Sequence, residues 1–504
     1  MGLVRNQSIK NSVSFYIGML IGAINTIFVY PYTFIDSPEH LGLLQIILAY
    51  SIVISAFTTL GAPKMFLRFF PAIKNKGQLY FLSFLTPFIG FLFSLIVYIF
   101  FKEKILAAIN ASQLLEDNFF YVILLIFFIG FYEILTSISR SFLNAATPVF
   151  INEVFLKLYS LSVLFLHWIG YIDFTVFLKI YVSGYILKFL ILFLIQYSKQ
   201  RISFSISFSS LNLREMFRYS FYVLIGSTAV MLVARVDMMI LGSLLKGDYG
   251  LKQVAFYSIA FYIGNSIMVP AKSIIAISVP LIADAWEKNN LSKIQSIYYK
   301  SAINQLIVGS VFFLCIWINI DDIFNMLPKE YKAGKWVVFF IGIAQLFNIS
   351  TGVNGAIITN SKYYRFDLYT SILLLVITVA TNLFLIPENN PFSKFGVQGI
   401  IGASIATASS IFLFNIVRLF LIKIKMNMHP FSLKTIYAIF GFLLIYIFLD
   451  ISFSLIPVFH LPFINIVFKS SIVLLISAIF VLYCNLSDDI NKFVIDLRKR
   501  YFNL

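Results

Sequence analysis

Fourteen uninterrupted apolar runs decide what this chain can become. A helix needs roughly 17 to 25 mainly apolar residues to cross a bilayer. Runs of about that length lie at residues 11–35, 41–63, 79–101, 119–139, 148–170, 174–197, 217–245, 253–283, 301–320, 336–360, 366–386, 396–422, 431–456 and 463–485. Water cannot satisfy backbone N–H and C=O groups in hydrocarbon, so a continuous apolar run is read as a helix that closes its own hydrogen bonds. The short alternating segments of a membrane barrel do not fit these runs. Of 504 residues, 60% are apolar and 12% charged, about half the charged share of a soluble domain. The sequence therefore predicts an all-α polytopic membrane protein with about 14 transmembrane helices. The first run is too long for a signal-peptide core and lacks a small-residue cleavage site, so it is expected to remain as the first span.

The net charge of +16 suits either nucleic acid or a membrane surface, and its distribution selects the membrane. With the N-terminus inside, 23 Lys and Arg fall in cytoplasmic segments, among them Lys74, Arg201 and Lys293. Only 8, including Lys102 and Lys332, fall in outer loops. This asymmetry predicts a multi-pass protein with both termini cytoplasmic, and no nucleic-acid partner. The longest polar connections, 198–216 and 284–300, are too short for a soluble domain. There is no Gly-rich phosphate loop, and His40, His167, His429 and His460 are scattered. Cys315 and Cys484 each sit inside an apolar run, which argues against a disulfide framework. Neither metal, cofactor nor enzymatic site is expected.

An internal repeat organises the runs. "SFYIGMLIGAINTIF" from Ser14 matches "SFYVLIGSTAVMLVA" from Ser220, and "LLQIILAYSI" from Leu43 meets "AFYSIAFYIG" from Ala255. "SFLNAATPVFINEVF" from Ser141 lies over "GAIITNSKYYRFDLY" from Gly355, placing Glu153 on Asp367. The similar offsets predict two pseudo-symmetric six-helix lobes, residues 1–200 and 201–425. Two C-terminal helices and a cytoplasmic tail follow in 426–504.

Four stretches carry a family resemblance: "SPEHLGLLQIILAYSIVISAFTTLGAPKMFLRFFP" at 37–71, "RVDMMILGSLL" followed by "QVAFYSIAF" within 235–261, "NLFLIP" at 382–387, and "FGVQGIIGASIATASS" at 395–410. In order and spacing the chain resembles the polysaccharide flippases of the MOP exporter superfamily, in particular the O-antigen and capsule (Wzx) type. That resemblance implies a passenger made of an oligosaccharide on an isoprenoid pyrophosphate. It would be moved from the cytoplasmic to the outer leaflet of a bacterial cytoplasmic (inner) membrane for surface polysaccharide biosynthesis. Membrane lipid and the lipid-linked glycan would be the partners, together with other polysaccharide-assembly proteins.

The intramembrane charges fit such a passenger. Lys157, Lys179, Lys188, Arg235, Lys272, Arg418 and Lys469 are set against Glu133, Glu153, Asp237 and Asp367, a cationic surplus suited to phosphate. Lys179, Arg418 and Lys469 lie near span ends and are expected to snorkel to the interface. Glu153 and Lys157, spaced i to i+4, either neutralise each other or face a cavity. Run 217–245, taken as one helix about 43 Å long against about 30 Å of hydrocarbon, buries Arg235 roughly 9 Å deep and turns Asp237 to the opposite side. Arg235 then offers a planar fork to phosphate, while Asp237 holds a cation of a neighbouring helix. Lys272, between Pro270 and Pro280, is the second cavity cation; tying spans together is the alternative role for all three. Asn25, Asn304, Gln305 and Asn354 are amides suited to sugar hydroxyls or to bridging helices. Gly18, Gly22, Gly399 and Gly402 serve close helix approach.

The candidate cavity set is Arg235, Lys272, Asp237, Lys157, Glu153, Asp367, Asn25 and Asn354. Its acids permit proton or sodium coupling without requiring it. A multidrug or small-solute exporter of the same fold is the alternative, disfavoured by the cationic surplus. A membrane-embedded polysaccharide polymerase or glycosyltransferase is the third, disfavoured by the short outer loops.

Overall fold

The computed structural model describes residues 2–200, 204–206, 208–209, 211–455, 459, 461–492, 494 and 496. Arg201, His460, Arg498, Lys499 and Arg500 lie outside the described residues. Among the described residues, fourteen helices are long and apolar enough to cross a membrane: Val13–Thr33, Pro38–Thr58, Lys76–Ala108, Phe120–Ser141, Ala146–Trp168, Phe174–Lys199, Leu213–Val233, Met268–Glu287, Leu291–Ile318, Lys329–Ser350, Arg365–Leu385, Gly399–Met426, Leu433–Leu455 and Pro462–Tyr483. They are called spans 1 to 14 below. No strand occurs among the described residues.

Side chains set many of the boundaries. Asn75 accepts from the Gly77 amide at 3.1 Å to open span 3, and Asn290 accepts from the Lys293 amide at 3.0 Å to open span 9, each satisfying an amide that a helix start leaves without a carbonyl. Gly61, in the left-handed region at φ +74°, follows span 2 and leads into the short helix Ala62–Phe69.

Three expected spans are broken, which corrects the sequence reading. Run 253–283 is two helices, Gly247–Asn265 and Met268–Glu287. Pro270 explains the break: its ring excludes the carbonyl four residues back, that of Ser266, and it has no N–H to offer. Ser266 Oγ turns instead to the Ile263 carbonyl at 2.7 Å. Run 336–360 ends its span at Ser350, and Gly352 at φ +68° turns the chain into the short helix Asn354–Thr359. Run 217–245 breaks at Ala234–Arg235 into span 7 and the helix Val236–Leu244. No Pro or Gly marks that break. Asp237 in the first turn of the new helix is the sign of charge that a helix N-terminus favours.

Two further departures are π-helical segments, Ile24–Val29 within span 1 and Ile151–Phe155 within span 5. Wide turns of this kind occur mostly as local insertions, frequently at functional sites.

The chain divides into two compact units, Met1–Ser258 and Ile259–Leu504. In the first, span 4 is central, packed against spans 2, 3 and 6 and the helix Ala62–Phe69. Close approaches tighten this unit: a Cβ at Gly18 would lie 2.5 Å from the Glu153 carbonyl oxygen, and one at Gly90 2.1 Å from that of Thr58. In the second, span 9 packs against spans 8, 10, 13 and 14, and span 12 against spans 10 and 11. A Cβ at Gly402 would lie 2.1 Å from the Leu385 carbonyl oxygen, so span 12 meets span 11 backbone to backbone, as its small residues led one to expect.

Candidate functional site

Span 6 carries Tyr181, Tyr185 and Lys188 at i, i+4 and i+7, which places them on one helix face. Lys188 is only 5% exposed. Its ammonium lies 4.6 Å from the Tyr132 ring centroid and 4.7 Å from that of Tyr185, and it donates to Asn152 Oδ1 at 3.0 Å. Ring faces and an amide oxygen stabilise a cation without neutralising it. Among the described residues no carboxylate closes an ion pair with Lys188, although Glu133 and Glu153 both act on it electrostatically.

The polar chain continues through span 5. Asn152 Nδ2 donates to Glu153 Oε1 at 3.0 Å. Lys157 is paired with Glu153 Oε2 at 2.8 Å and also donates to the Gly18 carbonyl at 2.9 Å. Asn25 Nδ2 donates to the Lys157 carbonyl at 3.0 Å, joining spans 1 and 5. The Glu153–Lys157 pair thus neutralises itself, as the spacing allowed, and is held inside the lobe by both π segments. Tyr30 of span 1 reaches Tyr181, hydroxyl to hydroxyl, at 3.3 Å.

Arg235 stands on the turn that ends span 7. It is half-buried and forms neither an ion pair nor a side-chain hydrogen bond among the described residues. Asp237 is 4% exposed and accepts from the Tyr257 hydroxyl at 2.5 Å. The two residues are therefore separated by a helix break, not by a half-turn of one continuous helix. The structure brings Asn25, Glu153 and Lys157 together in the first unit, with Arg235 on the turn after span 7 and Asp237 turned to a helix contact.

The candidates of the second unit behave differently. Asp367 is ion-paired with Arg418, which also donates to Thr370 Oγ1 at 3.3 Å and lies over the Phe414 ring at 4.0 Å. Arg418, 8% exposed, does not snorkel as expected, because an acid on span 11 holds it inside. Lys469 departs from expectation in the same way, pairing with Asp322 Oδ2 at 2.6 Å. Lys179 is exposed.

Asn354 bridges helices: it donates to Asn415 Oδ1 at 3.0 Å, within a ladder that runs Asn415 to Asn348, Asn348 to Gln345 and Gln345 to Asn265 at 3.0, 3.1 and 3.0 Å. Lys272 is exposed on span 8 shortly after Pro270. Asp450, exposed on span 13, adds a fifth acid to the four set against the seven intramembrane cations above, and the surplus of cations persists.

From the sequence alone Lys188 is one more intramembrane cation, and Tyr181 and Tyr185 carry no assigned role. Their i, i+4, i+7 stripe was the available signal. Asn152, the fourth member, carries no signal of its own.

Fourteen helices long and apolar enough to cross a bilayer, among the described residues, define a multi-pass membrane protein. In three dimensions the chain is similar to the lipid II flippase MurJ in an inward closed conformation, with a TM-score of 0.72 at 13% identity, covering 95% of this chain and 99% of that one. It is also similar to a MATE-family multidrug resistance transporter of the MOP superfamily in an inward-facing conformation, with a TM-score of 0.62 at 16% identity, covering 84% and 98%. The fold is accordingly that of MOP superfamily transporters. By sequence, it is 25% identical over 442 residues to an uncharacterized membrane protein of Methanocaldococcus jannaschii, covering 78% of this chain and 79% of the relative. No family model matches the chain.

Proposed function

We propose that this protein is a flippase that moves an isoprenoid-pyrophosphate-linked oligosaccharide from the cytoplasmic to the outer leaflet of the cytoplasmic membrane, for surface polysaccharide biosynthesis. Arg235 carries the reading. An intramembrane guanidinium without a carboxylate partner is costly unless something anionic visits it, and its fork of donors matches phosphate oxygens. Lys188, buried on span 6, is a second cation with which no acid among the described residues closes an ion pair. Fold similarity to a lipid II flippase supports a lipid-linked passenger. The passenger's partners would be the surrounding lipid and the proteins that assemble the glycan, and the interior acids Glu133 and Glu153 permit proton or sodium coupling. The two six-helix lobes would supply the alternating access that such transport needs.

The test is flipping of a fluorescent polyprenyl-pyrophosphoryl sugar in proteoliposomes. Arg235→Ala should slow it by about tenfold to a hundredfold, the equivalent of one lost charge-assisted contact, with normal membrane insertion. Arg235→Lys should recover part of the rate, since a point charge replaces a fork. Full activity in Arg235→Ala, together with equal retention of polyprenol and its pyrophosphate, would overturn the reading in favour of a small-solute exporter.

A further inference from the structure

The helix Ala62–Phe69, between spans 2 and 3, turns Ala62, Met65 and Phe66 into the core and leaves Lys64 and Arg68, one helical turn apart, exposed. Its start is fixed against span 7: a Cβ at Gly61 would lie 2.4 Å from the Ser220 carbonyl oxygen. That approach brings the Arg68 guanidinium over the Tyr219 ring, 4.3 Å from its centroid and 5.7 Å from that of Phe69. Two more contacts extend the patch. The Lys76 ammonium stands 4.2 Å from the Phe70 ring centroid, and Phe70 meets Phe142, just past span 4, at 5.0 Å. Arg68, Lys74, Arg140, Arg214 and Arg218 are all exposed, and none of the five forms an ion pair among the described residues.

Composition explains the missing partners. Residues 60–78, 139–147 and 198–219 hold nine Lys and Arg against one acid, Glu215, whose carboxylate accepts from Asn212 at 3.2 Å. The second unit treats its connecting cations differently: Lys288 and Lys293 pair with Asp284, Lys300 with Asp489 and Lys434 with Asp488. A surface of one sign attracts anions. Stacking on a ring fixes the plane of a guanidinium and leaves the N–H donors of its edge open, and phosphate accepts such donors two at a time. Apolar side chains stand among these cations at the ends of spans 4 and 7, with Phe142 43%, Leu143 62% and Phe217 45% exposed. A soluble anion leaves them in water, whereas a phospholipid covers them with its acyl chains while its headgroup meets the cations.

We propose that this patch, centred on Arg68 stacked on Tyr219, is a binding site for an anionic phospholipid of the cytoplasmic leaflet. Arg68 on the Ala62–Phe69 helix and Arg218 at the start of span 7 hold the headgroup phosphate, so a bound lipid ties the connection between spans 2 and 3 to span 7 within the first unit. It shares no residue with the passenger site and stands whatever passenger the protein carries.

The experiment titrates the full-length protein in neutral detergent with phosphatidylglycerol or phosphatidylcholine and reads the lipid retained in native mass spectra. The native protein should bind phosphatidylglycerol at least about tenfold more tightly at low salt, and the preference should shrink as salt rises. Arg68→Gln and Arg218→Gln should each weaken phosphatidylglycerol by about fivefold, and together by about 25-fold, with phosphatidylcholine unchanged. Tyr219→Phe keeps the ring and should bind as the native protein does, while Tyr219→Leu should weaken binding. Lys293→Gln removes a cation that Asp284 already holds, and should leave the preference as it was. Melting temperatures without lipid show that the variants are folded. Equal affinity for the two lipids in the native protein, or a preference that survives the double substitution, would overturn the proposal. Polyglutamate binding as tightly as phosphatidylglycerol would overturn it too, by making the patch a surface for a soluble acidic partner.

Discussion

Lys469 and Asp322 illustrate how burial changes the meaning of a single charge. From the sequence, a lysine near a span end reads as one whose stem lies in hydrocarbon and whose ammonium escapes to the interface. In the structure it is bound at 2.6 Å to an aspartate that also accepts from Asn465 at 3.2 Å, and both partners are largely buried. Removing one member of such a pair strands the other, so Lys469→Ala should destabilise the protein by about 3 kcal/mol. Lys469→Met combined with Asp322→Leu should recover most of that loss. Thermal unfolding in detergent measures both, and a double variant as unstable as the single would contradict the account. Residue type and depth were legible in the sequence here; the partner was not, because Asp322 lies 147 positions away.

At the scale of elements, the existence of helices was legible and their interruptions only partly so. Pro270 announces the break before span 8 through elementary sterics, and Gly352 announces the turn after span 10. Nothing in "LVARVDMM" announces the break at Arg235, and reading through it produced a helix that was too long and an Asp237 on the wrong helix. Pro270→Ala would return an N–H to the Ser266 carbonyl and let the two helices merge, which favours a more stable but stiffer span. The expected outcome is a higher melting temperature, by an increment worth about 1–3 kcal/mol, with slower flipping. A variant that melts higher and flips at the native rate would show that the break has no part in transport.

For the whole molecule, fourteen apolar runs were enough to specify the architecture, since a bilayer admits few alternatives. The site was less legible for a reason of dimension: its members come from spans 1, 4, 5 and 6 and the turn after span 7, and only groups within one helix, such as Tyr181, Tyr185 and Lys188 on span 6 or Asn152, Glu153 and Lys157 on span 5, are near one another in sequence. The charge asymmetry of the loops makes its own prediction. In a protein with Cys315 and Cys484 replaced by serine, single cysteines at positions 74 and 293 should resist an impermeant thiol reagent in intact cells, and cysteines at 102 and 332 should react. Labelling at 293 from outside would invert the map.

The paired π turns make chain length act as angle. Such a turn holds one residue more than the α-helix around it, and each residue turns a helix by about 100°. Adding one residue to the α-helical part of span 1 ahead of Tyr30 would swing Tyr30 away from Tyr181, and the same change ahead of Lys157 in span 5 would rotate Lys157 off the Gly18 carbonyl, whereas deleting the extra residue of either π turn would restore an ordinary helix and leave these side chains near their present faces. In loops, insertions and deletions change only how much chain hangs between two fixed points. In the α-helical parts of spans 1 and 5 they are rotations of the site itself, so these stretches should resist changes of length even where they tolerate changes of side chain.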